Sequence, residues 1–391
     1  MRFKEDGIGV SDLLKLIPED LLDHLAEETN VDHQAKKLYG RNVFNLLLYG
    51  LLDGERVGLR TLQDFYNSRH FKAMFRLPGN KSVKYNSISA RLARMNVDFF
   101  EKAYQSIYEQ CSLVYDQNTL SSKYKITRVD STMVCEAASK LEQGINVGCK
   151  KDGKKQIKYT VSLTNMFPSS VEIFMQQKYI SEDHTIPKVI YKIIDKGLDN
   201  VFVFDRGVQS RNTFCELDRN DFSFVTRLSP GCRYVYIEDI SHPDNTVFRN
   251  LTILSDQRVY LYASGSKIIE YPFRLLQTQN EKGAKFWFLT NRFDLSCEEI
   301  INIYKYRWDI EVFFRFLKQE LNFKHFISVN ENGIKILLYM TMILAMLILI
   351  YKKVNEFGYK TAKRRFAMEF RDIITDMIIV HCGGNPNTVF R

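Results

Sequence analysis

The chain has 391 residues, with 55 lysines and arginines against 46 acidic residues, a formal charge of +9 and a pI near 9.0. That length exceeds one ordinary domain, and the basic balance favours a polyanionic partner. Seven scattered cysteines with no C-x-x-C exclude a disulfide framework and a zinc site, and read as reduced thiols of a cytosolic protein.

Met1–Asp6 leads into no apolar run, so no signal peptide is expected. Residues 1 to about 120 read as helical, with apolar residues at i, i+3, i+4 spacing in Ser11–Ala26, Ala35–Leu52 and Ile88–Tyr115, and a short helix in Val57–Tyr66. Lys81–Arg94 combines a polar, basic face with a Ser or Asn cap. It reads either as the recognition element of a helix-turn-helix or as a bundle helix with its charges in water. The long connection from Phe71 to Tyr85 counts against a standard helix-turn-helix.

From about residue 124 the pattern changes to strands. Tyr124–Ala137, Tyr159–Phe167 and Val171–Gln176 suggest an antiparallel start, followed by a helix in Ile186–Lys196 and a buried strand in Asn200–Asp205. A helix near Gln209–Leu217 and a strand in Phe222–Leu228 come next. The stretch from Cys149 to Lys158 carries Lys150, Lys151, Lys154, Lys155 and Lys158 around Asp152-Gly153. It reads as a hairpin that is either simply solvated or in contact with phosphates. Between Ser229 and about Lys285, short apolar runs alternate with turn signals at Pro230-Gly231, Pro243–Asn245 and Gly265, the pattern of an all-β insertion.

Ile336–Tyr351 is almost wholly apolar, but its 16 residues fall short of the about 20 that a membrane span needs. The expectation is a buried helix behind the sheet, with no membrane partner. Beyond Tyr351 the tail is basic. Ala362–Val380 is helix-like, and either DNA or a second subunit would suit it.

Three carboxylates are the candidates for the chemistry. Tyr304, Arg307, Glu311 and Lys318 are spaced by 3, 4 and 7, which on one helix places them within an arc of roughly 60°. Arg315 extends the basic stripe, and Ile310, Phe314, Leu317 and Leu321 form the apolar flank that anchors it. Taken alone, Arg307 and Glu311 read as an i,i+4 ion pair. Asp130 lies in an alternating β-branched segment, and Asp205 follows four apolar residues, Val201–Phe204. Either Asp alone reads as a turn or cap residue.

Together these residues resemble the bacterial insertion-sequence transposases of the DDE type, insertion sequence 4 family. The mark of that family is Tyr, two residues, Arg, three residues, Glu, six residues, Lys, and Tyr304, Arg307, Glu311 and Lys318 match it without a gap. Phe286–Asn291 also resembles the family's run-in to the catalytic helix, and the similarity extends from about Val31 to about Ile350.

The element order matches an RNase H-like α/β catalytic core. With the resemblance it gives a helical N-terminal DNA-binding region (1–120), a core in two parts (121–229 and 286–351) around a β-rich insertion (230–285), and a basic tail (352–391). The resemblance implies nicking at transposon ends followed by attack of a freed 3′-hydroxyl on other DNA. Asp130, Asp205 and Glu311 are the expected catalytic residues and ligands for two Mg²⁺ ions, with Mn²⁺ as a substitute. Asp130 would bridge the ions, with Asp205 holding one and Glu311 the other. Tyr304, Arg307 and Lys318, with Arg315 and Lys158, are the expected contacts to DNA phosphates.

The implied partners are double-stranded DNA, as terminal inverted repeats and target, and a second copy of the chain. The implied location is the bacterial cytoplasm, at the nucleoid. Trp287 reads as a core residue or as a residue that stacks on a flipped base. An inactive DNA-binding relative and a nuclease without strand transfer remain alternatives.

Overall fold

The computed structural model describes residues 7–53, 57–116, 123–135, 141, 143–147, 154–193, 200–241, 246–263 and 267–389. The opening six residues, Ala137, Lys150, Lys151, the Asp152-Gly153 turn, Ile194–Lys196, Pro243–Asn245 and Gly265 lie outside these. The chain divides into two compact units, one of residues 1–120, 136–142 and 315–391, the other of 121–135 and 143–314.

The first unit is helical. It begins with α1 (Val10–Leu14), α2 (Glu19–Thr29), α3 (Gly40–Asp53), α4 (Leu59–Asn67), α5 (Arg69–Met74), α6 (Tyr85–Arg94) and α7 (Asp98–Asp116). Two expected helices are each split in two. Pro18 is extended and becomes the N-cap of α2, since its ring tolerates a helix only at the start. Met95 is extended at ψ 147°, and the Asn96 side chain accepts from Asp98 N at 3.0 Å to open α7.

The second unit holds an 11-stranded sheet. Its strands are β1 (Lys125–Cys135), β2 (Ile145–Val147), β3 (Lys154–Thr164), β4 (Phe167–Phe174), β5 (Asn200–Val203), β6 (Ser223–Leu228), β7 (Tyr234–Ser241), β8 (Val247–Phe248), β9 (Leu251–Tyr262), β10 (Ile268–Asn280) and β11 (Lys285–Thr290). The order is β2-β3-β1-β5-β6-β11-β10-β9-β7, with β4 beside β3 and β8 beside β9. β1, β5 and β6 are parallel, and the remaining neighbours are antiparallel. The β-rich stretch after Leu228 continues this same sheet, because β11 pairs with both β6 and β10.

Alternation along the strands supplies two apolar faces. Val129, Phe202, Phe204 and Phe224 pack with α8 (Ile186–Lys192) and α9 (Arg211–Arg219). Val201, Val203 and Val225 pack on the opposite face with α10 (Cys297–Lys305). Ser296 and Glu299 close a capping box at the start of α10, and α11 (Trp308–Glu320) follows it.

The helical unit resumes with α12 (Glu331–Val354), α13 (Tyr359–His381) and α14 (Pro386–Val389). α12 is long and apolar enough to cross a membrane, yet 89% of its most apolar window is buried inside the protein. Expected behind the sheet, it instead packs on α3, α6, α7 and α13. Asn332 Nδ2 fixes its first turn by donating to Leu92 O and Met95 O at 3.1 and 2.6 Å. A helix apolar on all sides is satisfied by other helices as well as by a sheet.

Candidate active site

The parallel register of β1 and β5 pairs Arg128 with Val203, and two residues further on stand Asp130, still within β1, and Asp205, past the end of β5. Val129 and Phe204 face the α8 and α9 side, so alternation turns both aspartates to the α10 side. The Asp130 carboxylate accepts from Ser131 N at 2.7 Å. Burial, with Glu182 and Asp205 nearby, pushes its pKa up to about 7, against the pull of the Ser131 amide and Arg307.

The Tyr–Arg–Glu–Lys signature does not lie on one helix, as its spacing suggested. Tyr304 is in the last turn of α10, Arg307 sits between helices, and Glu311 and Lys318 are in α11. The backbone tightens there: Tyr306 N bonds Ile303 O, Arg307 N bonds Tyr304 O and Asp309 N bonds Tyr306 O, all in i→i−3 fashion at 3.0–3.2 Å. The buried Arg128 of β1 holds this turn. Its Nε donates to Tyr306 O at 3.3 Å, its Nη1 to Ile126 O and Asn165 O at 3.0 Å, and its Nη2 to Asp309 Oδ2 at 3.1 Å.

As a result Tyr304 and Arg307 serve different partners. Tyr304 Oη donates to Asp205 Oδ1 at 3.1 Å, and burial pushes its hydroxyl up to about 12. Arg307 Nη2 pairs with Glu311 Oε1 at 2.6 Å, while its Nε is buried with no hydrogen-bond partner. Arg315 and Lys318 follow Glu311 one and two turns along α11.

Four further residues belong to the site, Glu182, Asp183, Gly207 and Arg227. Glu182 and Asp183 lie in a short turn before α8. Asp183 Oδ1 accepts from Gln209 N and Ser210 N at 2.8 and 2.7 Å, tying this turn to the loop after Asp205. That contact brings the Glu182 carboxylate against Gly207, where an added Cβ would stand 1.7 Å from Oε2. Burial raises the Glu182 pKa, and Lys158, Asp205 and Arg307 are among the charges it feels.

The fourth residue is Arg227 of β6. Its guanidinium lies over the rings of Phe286 and Tyr304 at 4.8 and 5.8 Å, and its Nε is buried without a hydrogen-bond partner. The sequence offered only weak signals for these residues: an acidic pair before a Pro-bearing helix start, and one arginine in an apolar strand.

Lys158 was expected to touch DNA, but it is only 3% exposed and donates to Ile180 O at 3.0 Å. Burial lowers its pKa, against the pull of Glu182, Asp130 and Asp183. In this structure it is an internal counter-charge, because its place in β3 turns it inward. Trp287 is a core residue, edge-on to Tyr234 at 5.9 Å.

The donors around Asp130 and Asp205 are carboxylate oxygens, which suit a hard divalent cation, and the mutual repulsion of Asp130, Asp205 and Glu182 favours binding one. Among the described residues, no three His, Cys, Asp or Glu side chains converge as a metal-binding group. Glu311 is instead engaged by Arg307.

The family model of the transposase DDE domain matches residues 121–347, more than half of the chain, and the chain belongs to that family. It is 28% identical over 156 residues to the putative transposase y4zB of Sinorhizobium fredii, covering 39% of this chain and 43% of that one. It is 49% identical over 55 residues to the putative transposase for insertion sequence element IS4SA of Synechocystis, 14% of this chain and 16% of that one. Each match spans less than half of the relative's length. A cryo-EM structure of a piggyBac transposase synaptic complex with hairpin DNA aligns over 94% of this chain and 85% of that chain, with 10% identity and a TM-score of 0.48, too loose a likeness to argue from.

Proposed function

We propose that this chain is a DNA transposase that cleaves phosphodiester bonds at the terminal inverted repeats of an insertion sequence and joins the freed 3′-hydroxyl ends to target DNA. The observation that carries this reading is the nearness of Asp130 and Asp205, with Tyr304 of the family signature bonded to Asp205 at 3.1 Å. Asp130, Asp205 and Glu311 would hold Mg²⁺, as two ions, with Mn²⁺ as a substitute. Bound there, the ions supply an activated water or hydroxyl and neutralise the leaving oxygen.

The protein's own groups bind and orient. Arg307 is placed to exchange Glu311 for a DNA phosphate, which its planar fork can grip at two oxygens. Arg227 brings a second guanidinium to the other neighbour of Tyr304, and Arg315 and Lys318 continue the basic face along α11. Tyr304 keeps Asp205 oriented. In this reading residues 121–229 and 286–351 form an RNase H-like core, 230–285 an insertion and 352–391 a basic tail. Residues 1–120 bind the DNA ends. A homodimer would act on two ends in the bacterial cytoplasm, at the nucleoid and without a membrane.

The test is Mg²⁺-dependent cleavage of a linear duplex carrying the flanking inverted repeat, by the parent and by Glu311→Ala. Cleavage at the repeat boundary by the parent alone supports the reading. One observation favours a second reading, a DNA-binding relative that does not cleave: Glu311 faces Arg307 rather than the aspartates. Specific binding without cleavage by either protein would establish that alternative.

A further inference from the structure

The helical unit contains a groove of about 1030 Å³ between the 29–38 segment and α6. Lys36, Lys37, Lys84, Arg91 and Arg94 line it, and no aspartate or glutamate does. Lys84, Ser87, Arg91 and Arg94 recur at i, i+3, i+7 and i+10, so α6 presents one continuous polar face to it.

The walls are held together. Lys37 Nζ donates to Ser82 O at 2.9 Å, Arg91 Nε to Leu38 O at 2.9 Å and Asn96 Nδ2 to Thr29 O at 2.9 Å. Arg91 also lies 3.7 Å from Asp32, so Lys37 and Arg91 act as clasps. Lys36, Lys84 and Arg94 are exposed, and none makes an ion pair among the described residues. Three uncompensated cations on a clasped frame form a preorganised anion surface. α6 opens at Lys84 without a side-chain cap, which adds the positive end of a ten-residue helix.

We infer that this groove seats the phosphate backbone of duplex DNA. Lys36, Lys84 and Arg94 contact phosphates, and the surface anchors the duplex independently of its sequence. This rests on the transposase reading and on residues 1–120 as its DNA-holding part, and it names the groove and the three cations by which they hold the duplex. A cation-lined groove whose one neighbouring carboxylate, Asp32, is already taken by Arg91 and Gly40 N fits a polyanion, and its length along α6 spans more than one phosphate.

The experiment is fluorescence anisotropy of the full chain on a labelled duplex of the element's inverted repeat and on a scrambled duplex, across a salt series. Each lost phosphate contact lowers the slope of log K against log salt by about 0.9. The triple variant K36Q/K84Q/R94Q is therefore expected to lose about 2.7 from the slope on both duplexes. The control K267Q/K282Q/K285Q removes the same charge elsewhere and is expected to keep the parent's slope. The single variant K84Q, at an exposed side chain, is expected to lose about 0.9 and covers a misfolded triple variant.

An unchanged slope in the triple variant, or an equal loss in the control, overturns the groove while leaving the transposase reading in place. A parent that cleaves neither duplex and binds neither overturns both.

Discussion

Asp130 lies within β1 and Asp205 two residues past the end of the parallel neighbour β5, close enough that Asp205 helps to raise the Asp130 pKa. Two carboxylates so placed, with Glu182 close by, are costly to ionise together, and this cost is where the site's readiness for a cation resides.

That cost has a pH signature. In metal-free protein Asp130 keeps its proton up to about pH 7, whereas an unfolded aspartate releases it near 3.9. Between those values the folded state binds the extra proton, so this group's contribution to stability falls as pH rises from about 4 to 7. Asp130→Asn is expected to be more stable than the parent at pH 8, by up to about 4 kcal/mol, with the difference vanishing near pH 4. Urea unfolding in chelator at several pH values checks this, and equal stabilities at pH 8 would refute it.

Arg128 sets the turn that separates Tyr304 from Glu311. Arg128→Ala leaves the Tyr306, Ile126 and Asn165 carbonyls without this donor, and is expected to cost about 2–4 kcal/mol. Arg128→Lys cannot reproduce the fork and should recover less than half of that loss. Chemical denaturation of the three proteins reads the series, and a loss below about 1 kcal/mol in Arg128→Ala would show that the turn forms without it.

Gly207 is the space that Glu182 occupies. Gly207→Ala must displace a flexible carboxylate end, not backbone, so its melting temperature should stay within a few degrees of the parent. Cleavage should fall by about tenfold or more, as in Glu182→Gln, since both remove the same carboxylate from beside Asp130. Full activity in both variants would exclude Glu182 from the site.

Far from this chemistry in the sheet, the buried pair of Arg274 and Asp256 joins β9 and β10 through two bonds of 2.8 Å. Asp256→Ala strands a buried guanidinium and is expected to cost about 3–5 kcal/mol, whereas D256L with R274M should cost less than that single change. Thermal unfolding of both decides the point. A double variant weaker than Asp256→Ala would mean that the Arg274 bonds to Phe293 O and Leu295 O dominate.

The sequence alone determined what is local in physical origin. The strand that carries Asp130 and the strand that leads to Asp205 follow from β-branched and apolar runs, the helices of residues 1–120 from their 3.6-residue periodicity, and the family signature from residue types at fixed spacing. Tertiary structure decided what depends on partners distant in the chain. Periodicity continues through Tyr306, and the break between α10 and α11 is held by Arg128, brought from β1. Glu182 enters the site because Asp183 bonds to amides 26 and 27 residues away. Lys158 looked like a surface charge until the strand register turned it inward, and an apolar run such as α12 specifies burial without naming its partner. Hydrophobic pattern records which face is hidden, and only the folded chain determines what hides it.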